Sequence, residues 1–178
     1  MRIRYSVAAG VAIVVAAAGV ADAAPGDTTV TFSVSGGSLG ISVPAGPVGL
    51  GSALPGGSVG GQLGSVTVTD ARALLTASWT ASVVSGSFTT GGSTAAETVP
   101  ASAVSYWSGT GSVTGTGTFT PGQATSGQAQ TLDTTRTAYT LSGGTGNNTA
   151  TWNPTLAIAI PAGAVNGVYT GTVTHSVA

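Results

Sequence analysis

The 178-residue chain has no cysteine and no lysine, and only 5% of its residues are charged. The absence of cysteine excludes a disulfide scaffold, a thiolate metal site and a cysteine nucleophile. Four arginines against five acidic residues leave no basic surface that would suit a phosphate backbone or an anionic membrane. We therefore expect neither nucleic acid nor a membrane among the partners of this protein.

The chain also lacks the groupings of residues that catalysis and metal binding require. Zinc needs three or four ligands, which a single histidine cannot supply, and no Asp-x-Asp loop offers clustered oxygens to calcium. Two Gly-x-Ser-x-Gly matches, around Ser38 and Ser58, precede no helix of the kind that a nucleophile elbow needs. The acidic residues are isolated in sequence, so no pair is singled out for glycoside hydrolysis. We expect no cofactor, no metal and no catalytic residue, and hence no enzyme.

The first 23 residues have the pattern of a secretory signal peptide. Arg2 and Arg4 form a basic start, an apolar run of about 14 residues extends from 7 to 20, and alanines at 21 and 23 form a small-residue cleavage site. The run is shorter than the roughly 20 residues that span a bilayer. We expect cleavage after Ala23, which would leave residues 24–178 as a single secreted domain.

Apolar residues in 24–178 alternate with threonine and serine, which predicts strands buried on one face. Helix formers are scarce and Gly/Pro clusters interrupt the apolar runs, so any helix should be a single turn. We predict an all-β fold, a single antiparallel β-sandwich of Ig-like or jelly-roll-like type with about nine short strands. The apolar positions of the predicted strands are Val30, Phe32 and Val34; Leu39, Ile41 and Val43; Val66 and Val68; Leu75, Ala77, Trp79, Ala81 and Val83; Val104 and Tyr106; Leu156, Ile158 and Ile160; and Tyr169, Val173, His175 and Val177.

Local patterns predict three further details. Threonines at every second position from 114 to 120 indicate one weak strand. Asn166-Gly167 is a turn signal that favours a hairpin joining the last two strands. Asp70 and Arg72, spaced by two, share a face of an extended segment, so they are placed to form a salt bridge.

Two segments carry a resemblance to a known family. Residues 63–72, which end in Asp70-Ala71-Arg72 and are followed by Trp79, resemble the first block of WxL-domain proteins. Residues 158–175 look like the second block, which in that family ends in Trp-x-Leu, whereas His175 and Val177 occupy those places here. The resemblance implies an exported, non-catalytic, β-rich domain held non-covalently at Gram-positive cell walls through peptidoglycan.

The alternation also indicates which aromatic rings are free to meet a ligand. Trp79 shares a face with apolar neighbours, as does Trp152, so both are predicted to lie in the core. Tyr106 points with Val104, which places the adjacent Trp107 on the opposite face of the strand. Trp107, with Tyr106 beside it, is the candidate contact for a sugar ring, unless the Trp107 ring folds onto a neighbouring loop.

Two functions are compatible with these observations. The first is a secreted, non-catalytic cell-surface domain that binds peptidoglycan or wall polysaccharide non-covalently. The alternative is a structural or self-assembling surface protein that uses exposed β-edges, because no lysine is present to guard them. The expected partners are accordingly a cell-wall glycan, other surface proteins or further copies of the chain.

Overall fold

The computed structural model describes residues 28–178, so the predicted signal peptide lies outside the described residues. The described part is all-β, as predicted, with antiparallel strands and three single 3-10 turns. Within it, no helix is long and apolar enough to cross a membrane. The strands are β1 Leu39–Ser42, β2 Ser58–Gln62, β3 Val66–Ser85, β4 Phe88–Thr89, β5 Thr98–Val99, β6 Val104–Trp107, β7 Ser112–Thr114, β8 Thr118–Pro121, β9 Gln130–Thr131, β10 Arg136–Trp152, β11 Thr155–Ala159 and β12 Val173–Val177.

Two long strands, β3 and β10, form the centre of the larger sheet and pair along most of their length. The other edge of β3 is shared by two strands, with β1 against its first half and β12 against its second half. The outer edge of β10 is divided in the same way between β7 and β8. The prediction of about nine short strands is therefore wrong in detail, since β3 alone has 20 residues and β10 has 17.

The smaller sheet has the order β2-β11-β6-β9, and β4 and β5 form a separate short pair. The inner faces of the two larger sheets bury one common core, which gives the β-sandwich that the alternation predicted. Trp79 and Trp152 lie in this core, also as predicted. Tyr139 stacks on Trp152 with a centroid distance of 5.0 Å, and Phe119 lies edge-on to Trp79 at 6.2 Å.

A bulge in β3 reverses the face that its side chains present to the core. Asp70 pairs with Asn148 and Leu74 with Gly146, so four steps along β3 match two along β10. Buried positions are even-numbered before the bulge and odd-numbered after it. Leu75 lies in the bulge and is 82% exposed, so the prediction that it shares the buried face of Trp79 is wrong.

The predicted N-terminal strand is absent from the described structure. Residues 28–38 form no strand, and the side chains of Val30, Phe32 and Val34 are exposed by 81%, 89% and 79%. Alternation makes a segment suitable for a sheet, but a strand forms only where a neighbouring backbone accepts its hydrogen bonds.

Two of the predicted local details are also wrong. Gly115 and Gly117 have positive φ and split the predicted threonine strand into β7 and β8, and a Cβ on Gly115 would lie 2.8 Å from that of Asn148. The last two strands form no hairpin, because β11 pairs with β2 and β6 whereas β12 pairs with β3. Asn166-Gly167 belongs instead to the segment that crosses from the smaller sheet to the larger one.

Candidate functional site

Asp70 and Arg72 form the predicted salt bridge at the start of the β3 bulge. The guanidinium donates from Nε to Oδ1 at 2.9 Å and from Nη2 to Oδ2 at 2.8 Å, and the Arg72 backbone N–H also donates to Oδ1 at 3.0 Å. The Asp70 side chain is fully buried and that of Arg72 is 30% exposed. The guanidinium holds the pKa of the Asp70 carboxyl below its ordinary value, chiefly by hydrogen bonding. Arg72 Nη2 donates as well to the Ser78 carbonyl at 2.9 Å, which links the two sides of the bulge.

Asn148 joins this ion pair to the core. Its Oδ1 accepts from Trp79 Nε1 at 2.8 Å, and its Nδ2 donates to Asp70 Oδ2 at 3.5 Å. Three of the positions that carry the family resemblance, Asp70, Arg72 and Trp79, are thus connected through a fourth residue on β10. No sequence signal singled out Asn148, since its partners lie at least 69 residues away along the chain. The cluster stabilises the bent pair β3–β10.

His175 lies half-buried on β12 and is hydrogen-bonded to the core. The Tyr106 hydroxyl accepts from Trp152 Nε1 at 3.1 Å and lies 3.2 Å from His175 Nε2. Tyr106 and His175 are thus hydrogen-bonded, and the tautomer of the imidazole decides which of the two donates. Burial lowers the pKa of His175 to about 4 and raises that of Tyr106, so both side chains are uncharged at neutral pH. Val177 shares the face of His175 and packs partly buried against the core.

The outer face of the smaller sheet presents one aromatic ring among small polar residues. Trp107 is partly exposed there, whereas Tyr106 on the opposite side of β6 is fully buried. The prediction of Tyr106 as a ligand contact is therefore wrong. Trp107 is paired with Thr155, which is paired with Gln62 on β2. We call this surface the Trp107 face, and it consists of Gln62, Ser105, Trp107, Thr131, Thr155 and Ala157.

A cavity of about 440 Å³ adjoins the Trp107 face and shares Gln62 with it. We call it the hydroxyl pocket, because serine and threonine dominate its lining. Its floor is a glycine-containing loop that directly follows Trp107. A Cβ on Gly111 would lie 2.6 Å from the Thr151 carbonyl oxygen, so only glycine lets this loop approach β10 so closely. The pocket is lined by Gln62, Ser65, Ser108–Ser112, Thr151, Trp152 and Asn153.

Buried hydrogen bonds fix the loop of the hydroxyl pocket. Ser108 is fully buried and donates from Oγ to the Gln123 carbonyl at 3.0 Å, and the Gly109 N–H donates to the same oxygen at 3.0 Å. The Tyr139 hydroxyl donates to the Thr110 carbonyl from below. The pocket was not predicted from the sequence, although the Ser-Gly-Thr-Gly-Ser run after Trp107 was visible there.

None of the residues that define the Trp107 face and the hydroxyl pocket is charged. An ion pair borders the face at β9, where Arg136 donates from Nε to the Thr131 carbonyl at 2.8 Å and contacts Asp133 at 3.5 Å. No family model, curated protein or solved structure is significantly similar to this chain. The chemistry of the surface, an indole ring beside neutral hydroxyl and amide groups, is suited to a ligand with apolar faces and many hydroxyls.

Proposed function

We propose that this chain is an exported, non-catalytic cell-surface domain that binds a neutral cell-wall glycan, either the glycan strands of peptidoglycan or a wall polysaccharide. The observation that carries the proposal is the continuity of the Trp107 face with the hydroxyl pocket. Together they offer one aromatic ring and a set of neutral hydrogen-bonding groups on a surface that lacks charge.

The aromatic ring of Trp107 suits the apolar C–H face of a sugar, and the polar groups of the hydroxyl pocket suit its hydroxyl groups. The C–H face of a pyranose ring packs on an indole, which supplies a large apolar contact area at a small loss of rotamer freedom. Sugar hydroxyls both donate and accept, as do the hydroxyl and amide groups that line the pocket. Arg136, the cation at the border of this surface, is paired with Asp133, and no residue of the face or the pocket offers a positive charge to a phosphorylated or acidic polymer. The fit is therefore to uncharged sugar units.

The backbone under the site holds these groups in place before a ligand arrives. Trp107 and Thr155 belong to paired strands, and the pocket loop is fixed by Ser108. A surface that is already ordered loses little conformational entropy on binding. The resemblance of residues 63–72 and 158–175 to WxL-domain blocks adds a reason to place the glycan in the cell wall, since that family is held there through peptidoglycan.

The test is a pull-down of purified protein on insoluble peptidoglycan, comparing wild type with Trp107→Ala. We expect apparent affinity to fall about tenfold, which corresponds to about 1.4 kcal/mol, because the ring contact is lost while the hydroxyl pocket remains. Trp107→Phe should retain most of the binding, since it keeps an aromatic face.

Leu75→Ala is the matched control, because Leu75 is a large exposed side chain outside the Trp107 face. It should bind peptidoglycan as wild type does. Unchanged binding by Trp107→Ala, or an equal loss in Trp107→Ala and Leu75→Ala, would contradict the proposed site.

A further inference from the structure

A second concavity, larger and more apolar than the hydroxyl pocket, lies between the two sheets of the sandwich. It has a volume of about 1140 Å³. Val173 and His175 line it from β12, an edge strand of the larger sheet, and Val59 lines it from β2, an edge strand of the smaller sheet. Two chain segments, 43–55 and 164–172, form its two long walls, and its lining is completed by Leu63, Phe88, Val99, Leu156, Ile158 and Ile160. We call it the apolar groove.

Backbone hydrogen bonds hold each wall of the apolar groove to the rest of the fold at one point. The end of the first wall is held where Gly56 donates to the Ile160 carbonyl at 3.1 Å and Ile160 donates to the Gly57 carbonyl at 2.8 Å. The second wall is held by the reciprocal pair of Thr89 and Thr170, with N···O distances of 2.9 and 3.0 Å. The groove is thus a formed feature of the fold.

The lining of the groove fits an apolar and uncharged occupant. None of the described residues that line it is acidic or is an arginine, and His175 is neutral at neutral pH. Leu54 and Val168 at the rim are exposed by 81% and 85%, so apolar surface is left in contact with water. The volume exceeds the roughly 300–1,000 Å³ of small-molecule sites. An extended polymer segment with apolar side chains fits these properties.

Residues 28–35, which we call the donor segment, have the complementary pattern. Val30, Phe32 and Val34 alternate with threonine and serine, and no residue of the segment is charged. In an extended conformation the three apolar side chains would project from one face at intervals of about 7 Å. Within the described residues, the donor segment forms no strand and leaves these side chains exposed.

The groove also provides free backbone for a strand. In the described structure β12 pairs only with β3, and β2 pairs only with β11, so each keeps one unpaired edge. Unpaired edges accept an additional strand through main-chain hydrogen bonds, while the side chains on one face of the added strand fill the cavity. No lysine stands on either edge to prevent this addition.

In the described structure the donor segment does not fill the groove of its own chain. None of residues 28–35 lines the groove, and Val30, Phe32 and Val34 are exposed. The groove is therefore open to the donor segment of a second copy.

We propose that the donor segment of one copy adds as a β-strand to the apolar groove of a second copy. The contact is head-to-tail, because the donor and the groove are different surfaces of the same chain. Such contacts continue from copy to copy and form open chains where no ring closes. This assembly requires no glycan and is independent of the Trp107 face.

The first experiment measures the mass of purified protein by sedimentation equilibrium over a range of concentrations, without glycan. Wild type should form oligomers beyond the dimer as concentration rises. Phe32→Asp, which places a charge on the donor segment, should be monomeric, and so should the double variant Leu54→Asp/Val168→Asp, which charges the rim. All three positions are more than 80% exposed, so circular dichroism should show unchanged folding. Leu75→Asp, equally exposed but outside both surfaces, should assemble as wild type does.

The decisive step is to mix the two assembly-deficient variants in equal amounts. Phe32→Asp keeps an intact groove and Leu54→Asp/Val168→Asp keeps an intact donor segment, so the mixture should give a one-to-one heterodimer and nothing larger. A monomeric wild type at all concentrations, variants that assemble as wild type does, or a mixture that stays monomeric would each overturn the proposal.

Discussion

At the scale of single residues, His175 shows how a polar ring is accommodated at the border of the core. Its Nε2 lies beside the hydroxyl of the buried Tyr106, which in turn accepts from Trp152. Trp152 Nε1, the Tyr106 hydroxyl and His175 Nε2 therefore each have a partner, which is the condition for burying such atoms without loss of stability. Burial of the ring requires that it stay uncharged, because a buried imidazolium loses its hydration.

This requirement predicts a dependence of stability on pH. The pKa of His175 is about 4 in the folded protein and near its ordinary value of 6.5 in the unfolded chain. Between these values the unfolded chain binds a proton that the folded protein does not bind, so the free energy of unfolding falls as pH is lowered from about 6.5 to about 4. We expect a decrease of about 2 kcal/mol, because one pKa unit corresponds to 1.36 kcal/mol and the ring is partly exposed.

Urea unfolding at a series of pH values, at a protein concentration low enough to keep the protein monomeric, would measure this decrease. His175→Phe should remove the slope between pH 6.5 and about 5, above the range in which Glu97, whose pKa is lowered from its ordinary value of 4.5, also contributes. Asp70, whose pKa is lowered, contributes stability that is lost only below its ordinary value of 3.8, so its effect is separated in pH. Equal slopes in wild type and His175→Phe would show that another group titrates in this range.

Single residues also show the extent to which the sequence could reveal the candidate site. Alternation correctly separated Trp107 from the buried Trp79 and Trp152, because a strand with one buried face fixes the direction of every side chain. The same alternation places Tyr106 inward with Val104, as the structure does. The prediction of Tyr106 as a ligand contact therefore conflicts with the alternation itself. Ser108 and Asn148 were not found, since their roles depend on partners distant in sequence.

At the scale of strands, the bulge of β3 is the feature that the sequence pattern predicts least well. Alternation predicts extended chain on both sides of residues 71–76, but it does not show that the buried positions change from even to odd numbers between the two sides. The bulge contains Ala73 at a φ of +54°, a conformation that an alanine seldom adopts. The surrounding cluster of Asp70, Arg72 and Asn148 holds the backbone in this shape.

The importance of that cluster can be measured with two neighbouring asparagines on β10. Asn148→Ala removes the partner of Trp79 Nε1 and one partner of the buried Asp70, so we expect the free energy of unfolding to fall by about 2–3 kcal/mol. Asn147→Ala alters an exposed side chain and should change the free energy by less than about 0.5 kcal/mol. Equal effects of the two substitutions in urea unfolding would show that the cluster does not stabilise the fold.

The sequence was sufficient to predict an antiparallel sandwich, but it was not sufficient to predict which strands pair with each other. An all-β sandwich follows from period-two alternation with frequent glycine and proline, and the described chain has that architecture. The partner of each strand is set by contacts between residues distant in sequence. For this reason the local turn signal of Asn166-Gly167 predicts a hairpin, whereas the chain crosses there from one sheet to the other. The alternation of residues 28–35 predicts a strand, but within the described structure these residues pair with no neighbouring strand.

At the scale of the whole molecule, the scarcity of charge determines how this protein meets its partners. Residues 24–178 contain only two arginines and four acidic residues, and the ion pairs of Arg72 with Asp70 and of Arg136 with Asp133 engage both arginines. The Trp107 face and the apolar groove are uncharged. Contacts made by these surfaces depend on hydroxyl groups, apolar area and backbone, so salt should screen them very little.

The measurement that tests the account most directly is co-sedimentation of the purified protein with insoluble peptidoglycan, corrected for the protein that pellets alone. We predict that the bound fraction is the same from about 0.05 to 1 M sodium chloride, a range in which exposed charge pairs are progressively screened, and that excess soluble glycan fragments release the protein. Release by salt but not by glycan, or no pelleting beyond that seen without peptidoglycan, would contradict recognition of a neutral wall glycan.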